Sequence, residues 1–136
     1  MHFELDPILQ RDSYAVSNLQ LCTVRLMDNR LFPWLILVPM REAATEWIDL
    51  EREDQHRLSD EIAICSHILQ ALVTPHKLNV GALGNQVKQL HIHLIGRYMD
   101  DSAWPEPVWG KGREYYDEQE VEPFLRDLRQ ALDSIG

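Results

Sequence analysis

The sequence predicts an α+β domain built around an antiparallel sheet. Short runs of alternating or β-branched residues follow one another in hairpin order, and two amphipathic helical segments lie between and after them. A length of 136 residues suits one domain with a sizeable core, so we expect a single domain over residues 1–136.

The first part of the chain is predicted to form a short helix and three strands. Pro7 favours a helix start, because its ring fixes the backbone angle that the first helical turn needs. β-Branched and aromatic residues then favour strands, and a cluster of turn-forming residues separates the last two. We predict a helix at 5–10, strands at 13–16, 19–26 and 31–38, and a turn at 28–30.

The second part combines two amphipathic helices with two more strands. We predict a helix at 51–73, a strand at 77–80, a turn at 81–86, a strand at 87–96, irregular chain at 100–113 and a helix at 118–135. Apolar residues recur every three or four positions in both helices, which predicts one buried stripe on each. The stripes are Leu58, Ile62, Cys65, Leu69 and Leu72 in the first helix, and Val121, Phe124, Leu125, Leu128 and Leu132 in the second.

Composition restricts the partners and the location. The net charge of -9 argues against bulk nucleic-acid binding, which needs a basic surface. The longest apolar run, at 31–40, is too short to span a bilayer, and the first residues lack the basic and apolar regions of a signal peptide. We therefore expect a cytoplasmic protein with no membrane contact, in which Cys22 and Cys65 are buried free thiols.

Residues 89–95, Gln-Leu-His-Ile-His-Leu-Ile, form the most informative pattern in the chain. Polar and apolar residues alternate, so a strand would place Gln89, His91 and His93 on one face. A neutral imidazole beside a phosphate can attack phosphorus and form a covalent intermediate. Two alternatives stay open: the histidines simply fill space on the strand, or they share a zinc ion with His76 as a third ligand.

A glycine-containing turn leads directly into this strand. It combines Gly81 and Gly84 with the amide side chains of Asn79, Asn85 and Gln86. Such turns present backbone N–H groups at close range, which lets a protein bind phosphate without a metal. Glycine–asparagine turns also join strands in many proteins, but the position immediately before two histidines favours phosphoryl chemistry.

Two tryptophan-containing segments have less specific interpretations. Residues 104–109 contain two tryptophans and two prolines, and they either cover an edge of the core or form an interface, where tryptophan is enriched. Phe32, Pro33 and Trp34 are expected to pack within the hairpin.

The order of these features resembles the histidine triad superfamily of nucleotide hydrolases and transferases. Residues 89–95 resemble its His-φ-His-φ-His-φ-φ signature, in which φ is apolar, and the turn at 79–86 looks like its phosphate loop. The long helix before the loop and the hairpin ending in Leu37, Val38 and Pro39 also come in the expected order. The resemblance covers about residues 15–110, and the C-terminal helix at about 118–135 is an extension.

The resemblance implies a five-stranded antiparallel sheet with two main helices, and a homodimer in which two sheets meet side by side. It also implies a nucleoside phosphoramidase or dinucleoside polyphosphate hydrolase that needs no cofactor. His91 would attack the α-phosphate of a nucleotide substrate, a nucleotidyl-histidine would form, and water would release the nucleotide. Apolar side chains of 19–27 would enclose the base, and the phosphate or leaving group would be bound by His93, Gln89, Asn79, Asn85 and Gln86.

Two positions depart from the family pattern. Gln89 stands where the family has its first histidine, and an amide cannot carry a proton near pH 7 to assist a leaving group. The residue that binds the ribose hydroxyls aligns with Leu26 without gaps, and a small change of register assigns this role to Asp28. The first departure leaves open an alternative function, a nucleotide-binding or protein-interaction module with little catalytic activity.

Overall fold

The computed structural model describes residues 2–135 and contains one five-stranded antiparallel sheet. Its order is β1-β2-β3-β5-β4, which confirms the predicted fold class. The ends of the predicted single domain, Met1 and Gly136, lie outside the described residues. The strands are β1 (Ser13–Asn18), β2 (Cys22–Met27), β3 (Trp34–Pro39), β4 (Lys77–Gly81) and β5 (Ile92–Arg97).

Three helices and one 3-10 turn complete the fold: α1 (Pro7–Asp12), the 3-10 turn (Trp47–Asp49), α2 (Arg52–Val73) and α3 (Glu118–Asp133). α1 begins later than predicted because Asp6 caps it. The Asp6 carboxylate accepts a hydrogen bond from the Ile8 N–H at 2.8 Å, and Pro7 takes the first helical position. None of the helices within residues 2–135 is long and apolar enough to cross a membrane.

The sheet buries both of its faces. α2 and α3 cover one face, where their buried leucines meet Val24, Leu35 and Leu94 of the strands. α1 and the irregular chain after β5 cover the other face, where Phe32 and Ile36 are fully buried. Because side chains alternate along a strand, His93 lies on this second face.

α2 carries one buried charge that its apolar periodicity does not predict. Glu61 is buried, and its carboxylate accepts hydrogen bonds from the backbone N–H groups of Leu21 at 2.9 Å and Cys22 at 2.8 Å. The chain before Cys22 is therefore held as a turn, and β2 begins at Cys22 instead of at residue 19. Cys65, which lies one turn after Glu61, is a buried free thiol, as is Cys22.

The histidine strand also begins later than predicted. β5 begins at Ile92 instead of at residue 87, because its partner β4 ends at Gly81, opposite His93. The chain just before β5 has a different backbone partner, since the Leu90 N–H donates to the Ala44 carbonyl at 3.0 Å. Of the three polar residues expected on one strand face, only His93 lies within a strand.

Candidate active site

His91 and His93 form a close pair at the start of β5. β5 lies between β3 and β4, so that His93 is in register with Ile36 on one side and Gly81 on the other. Both histidines are buried, with 7% and 5% of their surface exposed. Their ring centroids are 4.8 Å apart. The two imidazoles are therefore close enough to contact one small group of a ligand.

A backbone hydrogen bond defines the tautomer of His91. Its Nδ1 lies 2.7 Å from the carbonyl oxygen of Gln89. A carbonyl oxygen only accepts hydrogen bonds, so Nδ1 carries the hydrogen and donates. In the neutral ring the lone pair is then on Nε2, which is the state that a nucleophilic imidazole needs.

Two indoles surround His93. The Trp34 Nε1–H donates to Nδ1 of His93 at 3.0 Å, and the ring of Trp109 packs edge-on with its centroid 5.3 Å from that of the imidazole. Burial lowers the pKa of His93 to about 4, and the neighbouring His91 adds to this lowering. His93 is therefore a neutral imidazole near pH 7.

The glycine loop lies against His91. Residues 80–84 and His91 both line a cavity of about 370 Å³ between the loop and α2. Gly84 has a φ of 71°, in the left-handed region that favours glycine, so the loop requires a glycine here. Asn85 and Gln86 follow Gly84 and are exposed. The structure thus brings the loop and the nucleophile candidate to the same cavity.

The side chain of Gln89 is held by the N-terminal segment. Its Oε1 accepts a hydrogen bond from the Asp6 N–H at 2.8 Å, and its Nε2 donates to the Glu4 carbonyl at 2.8 Å. Gln89 therefore contacts His91 through its backbone carbonyl, while both polar atoms of its side chain have backbone partners.

Asn79 and Asp28 also have protein partners. Asn79 Oδ1 accepts a hydrogen bond from Arg97 at 2.8 Å, and the Asp28 carboxylate accepts one from the Tyr116 N–H at 2.9 Å. Each of these contacts uses one oxygen atom of the side chain, and the phosphate and ribose roles that the family resemblance implies for the two residues stay predictions.

The sequence pattern does not identify the two indoles around His93. The position of Trp34 could be inferred once the strands are paired. Trp34 lies two residues from Ile36, which pairs with His93, so Trp34 and His93 lie on the same face of the sheet. Trp109 has no such signal, because irregular chain carries it to the site. Its Nε1 is buried without a hydrogen-bond partner among residues 2–135, a costly state that an acceptor on a ligand would relieve.

The arrangement offers few ligands to a metal ion. Within residues 2–135, no three side chains of His, Cys, Asp or Glu are grouped so that they could hold a metal. His76, the third ligand considered from the sequence, packs against Trp104 with ring centroids 5.3 Å apart. The zinc interpretation therefore has two histidines but no third protein ligand in the described part of the chain.

The chain is similar to solved histidine triad proteins over nearly its full length. One from Bradyrhizobium japonicum is 40% identical, with a TM-score of 0.93 and coverage of 95% of this chain and 97% of that chain. One from Sinorhizobium meliloti 1021 is 42% identical, with a TM-score of 0.92 and coverage of 95% and 96%. One from Marinobacter aquaeolei VT8 is 38% identical, with a TM-score of 0.94 and coverage of 98% of both chains.

A comparison with curated proteins gave no match. The model of the HIT domain matches residues 9–100, which is more than half of the chain. Proteins with this domain are generally nucleotide hydrolases and transferases. With a histidine pair and a glycine loop in the order of the family signature, this chain belongs to the HIT domain family.

Proposed function

We propose that this chain is a nucleotide hydrolase or transferase that works through His91, of the nucleoside phosphoramidase or dinucleoside polyphosphate hydrolase type. The observation that carries the proposal is the 2.7 Å hydrogen bond between His91 Nδ1 and the Gln89 carbonyl. It leaves the lone pair on Nε2 of an imidazole that borders a cavity and a glycine loop. The general activity of the family supports the same proposal.

In the proposed reaction, Nε2 of His91 attacks the α-phosphorus of a nucleoside phosphate derivative. The N–P bond forms while the bond to the leaving group breaks, and the leaving group takes the electron pair and a proton from solvent. Water then attacks phosphorus, loses a proton and releases the nucleoside monophosphate, and Nε2 regains its lone pair. Two easier displacements replace one difficult one, and the cycle uses no cofactor.

We assign the binding of phosphate oxygens to His93 and to the amides of Asn85 and Gln86. His93 is neutral and adjacent to His91, and the two amides are exposed on the loop. Asn79 would donate to phosphate from its amide nitrogen while its oxygen keeps the bond from Arg97. Asp28 would accept from the ribose hydroxyls through the carboxylate oxygen that the Tyr116 N–H does not use.

The proposal is tested by following AMP release from adenosine 5′-phosphoramidate and from a dinucleoside polyphosphate. His91→Ala should lower turnover by about 10³-fold or more, because it removes the attacking atom. His67→Ala is the matched control, since His67 is exposed on α2 and should keep wild-type turnover. Wild-type turnover by His91→Ala would exclude His91 as the nucleophile.

The alternative function is a nucleotide-binding or protein-interaction module with little catalysis. The side chain of Gln89 favours this alternative. An amide cannot donate a proton to a departing group near pH 7, and both polar atoms of this amide already bond to the N-terminal segment. AMP at about 100 times its dissociation constant would stabilise such a module by about 2.7 kcal/mol. Thermal stabilisation by AMP without turnover of either substrate would support it over the enzyme.

We further propose a homodimer formed through the β4 edge. Within the described sheet, β4 pairs with β5 on one side, and its other side is open. Val80 of β4 is 51% exposed, and the nearby Trp47 and Leu83, which line the same cavity, are 59% and 49% exposed. A second copy that pairs β4 with β4 about a two-fold axis would extend the sheet and cover this apolar surface.

A further inference from the structure

We propose that Trp34 is a positioning residue: its indole N–H holds His93 as the Nε2–H tautomer, so that His93 offers an uncharged donor to the phosphate attacked by His91. The hydrogen bond from His93 to the phosphate rests on the proposed function. The tautomer rests on geometry alone and can be tested without a substrate.

The direction of the hydrogen bond follows from the chemistry of the indole. Trp34 Nε1 lies 3.0 Å from Nδ1 of His93. An indole nitrogen can only donate, so Nδ1 must supply a lone pair and cannot carry hydrogen. The neutral imidazole of His93 then carries its one hydrogen on Nε2.

The same contact disfavours the charged form of His93. Protonation would put a hydrogen on Nδ1, where it would face the indole N–H, and two donors cannot share one hydrogen bond. The strand neighbours Ile36 and Gly81 carry no ionisable group, and His91 is the titratable side chain in ring contact. Among residues 2–135, no carboxylate is therefore placed to stabilise an imidazolium at His93.

The two histidines consequently hold opposite tautomers. His91 has its hydrogen on Nδ1, bound to the Gln89 carbonyl, and its lone pair on Nε2. His93 has its lone pair on Nδ1, bound to Trp34, and its hydrogen on Nε2. Among residues 2–135, Nε2 of His93 has no hydrogen-bond partner, and this nitrogen is not fully buried. The pair thus supplies a nucleophilic Nε2 on His91 and a donor Nε2–H on His93.

Trp34→Phe tests the proposal, with Trp109→Phe as the matched control. Both variants replace an indole in edge contact with His93 by a phenyl ring, but only Trp34 donates to the imidazole. NMR of the ring nitrogens, in ligand-free protein with labelled histidine, reports the tautomer and the pKa of His93. Wild-type protein should show an unprotonated Nδ1, and Trp34→Phe should raise the pKa of His93 more than Trp109→Phe does, because the neutral form loses its donor.

The kinetic readout separates positioning from packing. Loss of the N–H should lower kcat on adenosine 5′-phosphoramidate by about tenfold with little change in KM, since the donor acts on the charge that develops at phosphate. A protonated Nδ1 in wild-type protein, or equal pKa values in the two variants, would overturn the tautomer assignment. An unchanged kcat in Trp34→Phe would overturn the positioning role. If wild-type protein turned over neither substrate, the proposed function would fail, and the NMR result would still decide the tautomer.

Discussion

The Asp6 N–H donates to Oε1 of Gln89 at 2.8 Å, although the two residues are separated by 83 positions in the sequence. The Gln89 Nε2 also donates to the Glu4 carbonyl at 2.8 Å, so one side chain satisfies two backbone groups of the N-terminal segment. The Gln89 carbonyl in turn accepts the Nδ1–H of His91. The position that resembles the first triad histidine therefore connects the N-terminal segment to the nucleophile candidate.

Replacing Gln89 should loosen the N-terminal segment. Gln89→Leu removes two hydrogen bonds, and we expect a loss of about 1–3 kcal/mol in the free energy of unfolding, measured by urea denaturation with an unchanged m-value. Hydrogen exchange at the Asp6 amide should become faster. Gln70→Leu, at an exposed position on α2, is the control and should retain wild-type values. Wild-type stability and Asp6 protection in Gln89→Leu would contradict this role.

Local periodicity predicts most of the elements. The buried positions of α3 are Val121, Leu125, Leu128 and Leu132, all members of the predicted stripe. No local pattern encodes which strands pair. The prediction of a five-stranded sheet therefore depends on the family resemblance. Strand starts are less predictable, since tertiary contacts such as the Glu61 carboxylate bound to the Cys22 N–H determine them.

The sequence does not predict the hydrogen-bond partners of Gln89 and Asp28, because these partners are distant along the chain. Gln89 bonds to Asp6, and Asp28 bonds to Tyr116, 88 positions away. No pattern around Gln89 or Asp28 indicates these contacts, whereas His91 and His93 are recognisable because their spacing is local. The cytoplasmic location and the homodimer stay predictions.

His93 should make folding stability sensitive to mild acid. Its pKa is about 4 in the folded protein, against 6.5 for an ordinary histidine. Below about pH 6.5 the unfolded chain therefore binds a proton that the folded protein does not, so this contribution to stability is complete above 6.5 and is lost as the pH falls to 4. Urea unfolding should show that His93→Gln removes about 2 kcal/mol of the stability change between about pH 7 and about pH 5.

The control for this prediction is His67→Gln. His67 is exposed, so this variant should keep the pH dependence of the wild type. Equal pH dependence in His93→Gln and His67→Gln would show that His93 titrates normally in the folded protein.

The buried Arg97–Asp101 pair should be essential for stability. The guanidinium makes bonds of 2.8 Å and 3.0 Å to the carboxylate and packs over Phe32 and Trp104. Asp101→Asn leaves Arg97 charged and buried, so the free energy of unfolding near pH 7 should fall by about 3–5 kcal/mol. Asp100→Asn changes the exposed neighbouring carboxylate and is the control. A loss no larger than that of Asp100→Asn would contradict the buried pairing.

The same pair should respond to strong acid. Burial opposes the charge of Asp101, but the hydrogen bonds from Arg97 and from three backbone amides outweigh it and lower the pKa from 3.8 to about 2. The stabilisation is therefore present above about pH 4 and is lost as the pH falls towards 2. Asp101→Asn should lack this contribution in acid titrations followed by circular dichroism, whereas Asp100→Asn should retain it.

A charge on the β4 edge should dissociate the proposed dimer. Val80→Asp places a carboxylate on the exposed apolar surface of β4, where pairing would bury it without a partner. Light scattering at micromolar concentration should show a dimer for the wild type and a monomer for Val80→Asp. Ile135→Asp changes an exposed apolar residue at the end of the chain and should remain dimeric. A monomeric wild type would contradict the dimer.

The most direct measurement of the central claim is the mass of the intact protein after brief mixing with adenosine 5′-phosphoramidate and a basic quench. We expect wild-type protein and His67→Ala to gain one adenylyl group, located by fragmentation on His91, and His91→Ala to gain none. An adenylyl group on the His91→Ala variant, or AMP release by that variant at the wild-type rate, would contradict nucleotidyl transfer through His91.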